Sequence, residues 1–343
     1  EMIADGRISV PRSLLSGYRL SHSTAGPGAG ASSLALAWEG SDGREHRVKL
    51  AVAPEHDASA PLSLVESGDD GLEVRRSDGS LLVSSARLLP VVMHAPGQAF
   101  ISLTGECIFE CAFCNTHKLQ PGRRKDVSPE RWVELVLEAR ARQPFDVLAI
   151  TSVASPDHET MVRAYETVVG GVLAEHPGMA VGVEPYVQGR EDIVRLREAG
   201  ATEIKINVQS PDPGVMARIC PGWDLERQYL LLEQAVEVFG RGRVTTNLLV
   251  GLGETDDSLE ASVERLAAMG VVPSVRVVRV NEGNREDLER ALGRPVEPVP
   301  VERHLRLARA LGDALSRHGL DAGDLETMCH RCGCCDLEPA QDL

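Results

Sequence analysis

The chain has 343 residues, with Lys+Arg 36 against Asp+Glu 51 for a formal net charge of −15, 43% hydrophobic residues and only 3% aromatics. A chain of this length and apolar content buries a sizeable core over two or three domains, which excludes a disordered or fibrous protein. No run approaches the roughly 20 apolar residues of a membrane span, and the first residues lack a secretory pattern. The acidity also argues against binding a phosphate backbone. The expectation is a cytoplasmic protein with no membrane or nucleic-acid partner.

Residues 1–96 read as a β-rich N-terminal domain, with strand-length runs at 33–38, 46–52 and 80–83 separated by Gly, Ser and Asp. The Gly- and Ala-rich stretch 26–33 lacks the spacing and the following helix of a phosphate loop and reads as a plain loop. Between 97 and 322, strand-length runs at 100–103, 147–151, 180–186, 203–209, 244–250 and 274–280 alternate with amphipathic helices. Ser128 before Pro129 and Glu130 is a helix start, Asp224 opens a run closed by Gly240, and Thr255 opens one closed by Gly270. Six βα units in series imply an α/β parallel sheet with helices outside, as a partial barrel or a doubly wound sheet. Side-chain alternation favours the barrel. Lys205, Asn207 and Gln209 share one face, opposite Ile204, Ile206 and Val208, and Gly182, Glu184 and Tyr186 oppose Val181 and Val183. A polar face on central strands suits an open (β/α)6-type barrel whose interior holds a ligand.

Seven of the eight cysteines fall into two groups, and in a large chain without an export signal such grouping points to metal ligation. Cys107, Cys111 and Cys114 follow the first barrel strand. Three thiolates on a loop can hold three irons of a [4Fe–4S] cluster and leave the fourth iron open for a substrate. A zinc knuckle completed by His117 is the alternative. Cys220 stands alone and reads as a small buried apolar residue.

The run Cys107-Ile108-Phe109-Glu110-Cys111-Ala112-Phe113-Cys114, with an aromatic before its last cysteine and after strand one of a βα barrel, resembles the radical SAM superfamily over about residues 98 to 320. The resemblance implies that Cys107, Cys111 and Cys114 bind the cluster and that the open iron chelates S-adenosylmethionine. One electron from a flavodoxin- or ferredoxin-type donor then cleaves the cofactor to methionine and a 5′-deoxyadenosyl radical. It also implies a cofactor pocket containing Phe113, Glu184, Asn207 and, in place of the family's Gly-Gly-Glu stretch, Thr151 or Ser152, of which Ser152 is the candidate. Gly251 and Gly253 of Gly251-Leu252-Gly253-Glu254-Thr255, a biotin-synthase-like turn, belong to the same pocket. Tyr186 and Lys205, on the polar face, are the candidate catalytic residues. The basic stretch Arg123-Arg124-Lys125 reads as a solvated turn rather than a peptide-docking site.

Residues 323–343 form a cysteine-rich tail in which Cys329, Cys332, Cys334 and Cys335 lie close enough, with Gly333 permitting a sharp turn, to close a tetrahedral site. An auxiliary iron–sulfur cluster, mononuclear iron or zinc suits these thiols. The tail would clamp the barrel mouth, transfer electrons, bind substrate or donate sulfur. The chain loosely resembles the radical SAM methyltransferases that modify methyl-coenzyme M reductase. That resemblance implies anaerobic C-methylation of a protein or peptide residue with cobalamin as methyl donor, although the Asp-x-His-x-x-Gly motif of cobalamin domains is absent. A biotin-synthase-like sulfur insertion or rearrangement is the second reading, and a non-catalytic iron or zinc carrier the third.

Overall fold

Short alternating runs build the first sheet. The computed structural model describes every residue except 24, 25, 56, 69, 70, 104 and 119–126, so the basic stretch 123–125 lies outside the described residues. Its strands are β1 (Arg7–Ser9), β2 (Ser21–His22), β3 (Ser32–Glu39), β4 (Glu45–Ala53), β5 (Leu62–Glu66), β6 (Leu72–Arg76) and β7 (Leu81–Leu88). They run in the order β2-β3-β4-β1-β5-β6-β7, and β7 pairs back onto β3, so six of them close into a small barrel. Ile8, Leu34, Leu36, Leu50 and Leu64 fill it. Lys49, between the core residues Val48 and Leu50, points the other way, as the two-residue period of a strand requires.

The second sheet comprises β8 (Ala99–Leu103), β9 (Val147–Ser152), β10 (Ala180–Glu184), β11 (Glu203–Lys205), β12 (Val244–Val250) and β13 (Val271–Val277), all parallel and in chain order. Helices begin where the caps were expected. Ser128 accepts from Arg131 N, Asp224 from Arg227 N and Thr255 from Ser258 N, and Gly240 and Gly270 end their helices with positive φ. The helices bury Tyr165, Val168, Ile193 and Leu232 against Ile150, Val181 and Val183 on the outer face of the sheet. Side chains from all six strands, among them Phe100, Thr151, Glu184, Lys205, Asn247 and Arg276, line a single chamber of about 250 Å³, which requires the sheet to curl. No pairing joins β13 to β8 among the described residues, so the sheet is a partial barrel. β11 stops at Lys205 although the apolar alternation continues to Gln209. Val208 N turns to the Thr246 hydroxyl, and Gln209 takes a left-handed φ of 69°.

The tail enters the lumen at the end opposite the mouth. Glu203, at the start of β11, is buried and accepts from Glu326 N at 2.8 Å, Thr327 N at 3.0 Å and Thr327 Oγ1 at 2.5 Å. Gln98, just before β8, donates to Met328 O at 2.7 Å and accepts from Met328 N at 3.1 Å. A Cβ at Gly182 would run into the Thr327 side chain, so glycine is what lets the tail lie on β10. Further along, Asp336 forms a bidentate pair with Arg276. On the other side, Lys49 N donates to Cys334 O at 2.8 Å and His46 Nδ1 lies 3.0 Å from Asp342 Oδ1. The tail is therefore a layer between the two barrels.

Gly182→Val is expected to destabilise the protein by about 1–3 kcal/mol, the usual range for overpacking, and to expose the tail to protease. Urea denaturation and limited proteolysis check this. Unchanged stability with unchanged protection would contradict the packing described.

Candidate active site

The loop after β8 carries the first cysteine group. Cys114 N bonds to Cys111 O at 2.9 Å, and the Cys114 thiol lies 3.2 Å from Thr116 Oγ1. Burial pushes the Cys114 thiol pKa up, although hydrogen bonds from Thr116 oppose this. Phe113 is buried and faces the chamber. Cys220 is more than a buried apolar residue. Ala112 N bonds to Ile219 O at 2.7 Å, which brings the end of helix Pro213–Ile219 against the loop and sets Cys220 directly beside Cys111, their Cα atoms 4.3 Å apart. The glycine-rich loop of the N-terminal barrel is also more than a connection. Gly26 N donates to Thr116 Oγ1 at 2.8 Å, and Pro27 O accepts from Asn115 and Asn281, both at 2.8 Å.

The alternation argument placed Glu184, Lys205 and Asn207 on a lumen face, and all three line the chamber. Asn207 donates to Glu184 Oε1 at 2.6 Å, and Lys205 Nζ lies 3.8 Å from the same oxygen. Thr151, not Ser152, faces the chamber, because neighbours on a strand point oppositely. Tyr186 is not among the lining side chains. It packs edge-on against Phe109 of the cysteine loop at 5.5 Å and lies 6.2 Å from Trp223. Gly251 and Gly253 also lie elsewhere. The Glu254 carboxylate takes the N–H groups of Gly251 and Leu252, pairs with Arg303, and leaves those turn donors engaged.

The chamber has residues that the motifs did not reveal. Asn247 is the one amide in β12, and its Oδ1 is buried without a hydrogen-bond partner. Gln209 holds its strained φ at the wall. Lys49 and His94 come from the N-terminal region. Lys49 Nζ lies 2.8 Å from His94 Nε2 and 2.9 Å from His94 O. Burial, reinforced by the Lys49 charge, pushes the His94 pKa down to about 3, so the ring is neutral.

Among the described residues, no group of three or more His, Cys, Asp or Glu converges as a metal site. The expected four-thiol centre is not assembled. Cys332 and Cys334 pack with Ala95, Cys334 donating to Cys332 O at 3.2 Å, whereas Cys329 and Cys335 line the chamber. Gly333, at φ 60°, supplies the expected turn, and Cys335 remains close enough to both Cys329 and Cys332 for their charges to act on it. The first group is different. Its three soft thiols lie within eight residues of a loop abutting a polar chamber, and Asn115 Oδ1, His117 Nδ1 and Trp223 Nε1 are buried nearby without partners. That donor set fits an iron–sulfur cluster with a polar ligand beside it once Cys111 is reduced.

The sequence profile of the Radical SAM superfamily matches residues 101–266. That segment is similar to the radical SAM superfamily. Over 174 residues the chain is 33% identical to a lipoyl synthase of Nitratidesulfovibrio vulgaris, covering 50% of this chain and 56% of the relative. Over 202 residues it is 27% identical to the heme chaperone HemW of Mycobacterium tuberculosis, covering 53% and 50%. The chain thus spans about half the length of the curated relatives it matches. Among solved structures, methylornithine synthase aligns with a TM-score of 0.51 and 16% identity over 71% of this chain and 72% of that one. The hydrogenase maturase HydG of Carboxydothermus hydrogenoformans aligns at 0.52 and 15%, over 64% and 52%. These likenesses show the fold, a partial βα barrel. No helix among the described residues is long and apolar enough to cross a membrane.

Unfolded, His94 takes a proton near pH 6.5, which the folded site refuses until about pH 3. Between those values the unfolded state binds more protons, so this group's contribution makes stability fall as the pH drops from about 6.5 toward about 3. His94→Gln is expected to give a shallower acid limb in urea midpoints measured against pH. An identical limb would assign the acid sensitivity to other groups.

Proposed function

We propose that this radical SAM enzyme performs sulfur chemistry, of the sulfur-insertion type, on a substrate held in the barrel chamber. The observation that carries this reading is that Cys329 and Cys335 line the same chamber as Phe113, Glu184 and Asn207. The lipoyl synthase relatives, named for making a sulfur-bearing group, support it. When bound, the [4Fe–4S] cluster and S-adenosylmethionine supply one-electron cleavage of a sulfonium and hydrogen abstraction from the substrate. Cys107, Cys111 and Cys114 would hold the cluster. Glu184 and Asn207, joined by their hydrogen bond, and the unpartnered Asn247 Oδ1 bind amino and hydroxyl groups. Lys205 beside Glu184 sets the charge there, and the tail closes the far end of the lumen against water. A flavodoxin- or ferredoxin-type protein donates the electron. C-methylation with cobalamin draws no specific observation from the chamber.

With reduced, iron-loaded protein, Cys111→Ala is expected to abolish release of 5′-deoxyadenosine. Cys335→Ser should retain that release while losing sulfur transfer. Chromatographic quantification checks both. Equal loss of nucleoside in the two variants would end the division of labour proposed.

A paired sulfur cannot serve as a thiolate ligand, so Cys111 and its neighbour Cys220 must both be reduced for the cluster to load. Cys220→Ala protein is therefore expected to take up iron and develop absorbance near ~400 nm without prior reductant, whereas the parent needs it. Equal uptake by unreduced parent and variant would contradict this order.

A further inference from the structure

The chain carries 51 acidic against 36 basic side chains, yet its chamber is lined by Lys49, Lys205, Arg276 and Arg279 against one carboxylate, Glu184. Two of these cations are matched: Arg276 by Asp336, and Lys205 by Glu184. Lys49 and Arg279 have no carboxylate within salt-bridge distance among the described residues. Lys49 is only 4% exposed, and its ammonium donates to the neutral ring and the carbonyl of His94, neither of which carries a compensating charge. Arg279 lies beside it, with NH2 3.4 Å from Lys49 O. A buried ammonium beside a second, half-buried cation is costly unless an anion joins them, and the groups facing Lys49 that can carry negative charge are the thiols of Cys332, Cys334 and Cys335, not a carboxylate.

We infer that Lys49 and Arg279 form the receptor for an oxyanion head group, carboxylate or phosphate, on the molecule that reacts in the chamber. The inference rests on the chamber being the reaction site and names the class of substrate that enters it. A guanidinium offers a planar fork to two oxygens and an ammonium adds a point charge, a pairing suited to either group. The chamber volume of about 250 Å³ admits a small molecule or a single side chain, not a folded partner. Lys49 sits on β4, so the N-terminal barrel becomes a substrate-binding unit of the enzyme.

The test uses metal-free full-length protein, with butyrate and inorganic phosphate as probes, followed by calorimetry and thermal shift. At least one probe is expected to bind and to raise the melting temperature. Lys49→Met and Arg279→Met should each weaken that probe by about tenfold or more, the loss corresponding to about 1.4 kcal/mol. Lys49→Arg should retain binding, which separates a charge requirement from a folding defect. The probe that binds more tightly identifies the head group. Failure of both probes to bind, or equal binding by parent and Met variants, overturns the inference. So does a loss confined to S-adenosylmethionine binding, which would assign the two cations to the cofactor's own carboxylate. A change confined to the iron or zinc content of the tail, with probe binding intact, overturns it too, since the cations would then serve thiolates. Protein that binds neither probe but still releases 5′-deoxyadenosine when loaded keeps the radical SAM reading and loses only this one.

Discussion

A carboxylate in the lumen of a barrel must have both oxygens satisfied, because an uncompensated buried charge costs several kcal/mol. Glu203 meets that constraint by recruiting the tail. Its Oε1 accepts from Glu326 N and Arg243, and its Oε2 accepts from Thr327 N and Thr327 Oγ1. Once residues 326 and 327 are fixed there, Met328 falls against Gln98 and the chain has one way to continue, up the lumen along Gly182 and β13. The positions of all four tail cysteines follow from this anchor. Cys329 and Cys335 reach the chamber because the chain has entered from behind it.

The same path makes the N-terminal barrel part of the site. The Lys49 amide bonds to Cys334 O, so the tail segment that carries Cys334 and Cys335 holds β4 against the lumen and brings the Lys49 ammonium to the chamber wall. At the mouth, Gly26 and Pro27 hold the residues that follow Cys114, with Asn115 and Asn281 sharing one carbonyl. The N-terminal barrel thus touches the site at both ends. Cluster loop, sheet interior, tail and N-terminal barrel are distant in sequence, yet each contributes a wall.

Much of the sheet was legible because alternation is a local property. Glu184, Lys205 and Asn207 could be assigned to one face from their strands alone, and the caps at Ser128, Asp224 and Thr255 stand one residue before the helices they open. The failures have physical causes. Ser152 was one residue out of phase with the lumen, and Thr151 faces it instead. The Gly251 turn looked like a ligand-binding backbone, but Glu254 three residues on fills it with its own carboxylate. Tyr186 continues the parity of β10 past the end of the strand at Glu184, where alternation no longer governs direction, and it turns to Phe109. Lys49 and Arg279 were invisible as a pair because nothing local joins positions 230 residues apart. The four tail cysteines invited a single tetrahedral site by spacing. Their division between chamber and tail core is set by Glu203 and Gln98, which spacing does not register.

Cys111 stands at the junction of two incompatible demands. In the proposed reading the loop needs its thiolate for metal, while the packing of Ala112 against Ile219 holds Cys220 beside it. The backbone contact does not depend on the state of either sulfur, so the two thiols remain neighbours whether bonded or reduced. A cluster ligand with a permanent thiol neighbour must be kept reduced to bind iron. Cys220 is buried, only 1% exposed, while Cys111 is half-buried at the surface of the loop. Pairing with Cys220 and binding of a metal are therefore mutually exclusive for Cys111, and the redox state of the two sulfurs decides whether it is available as a ligand.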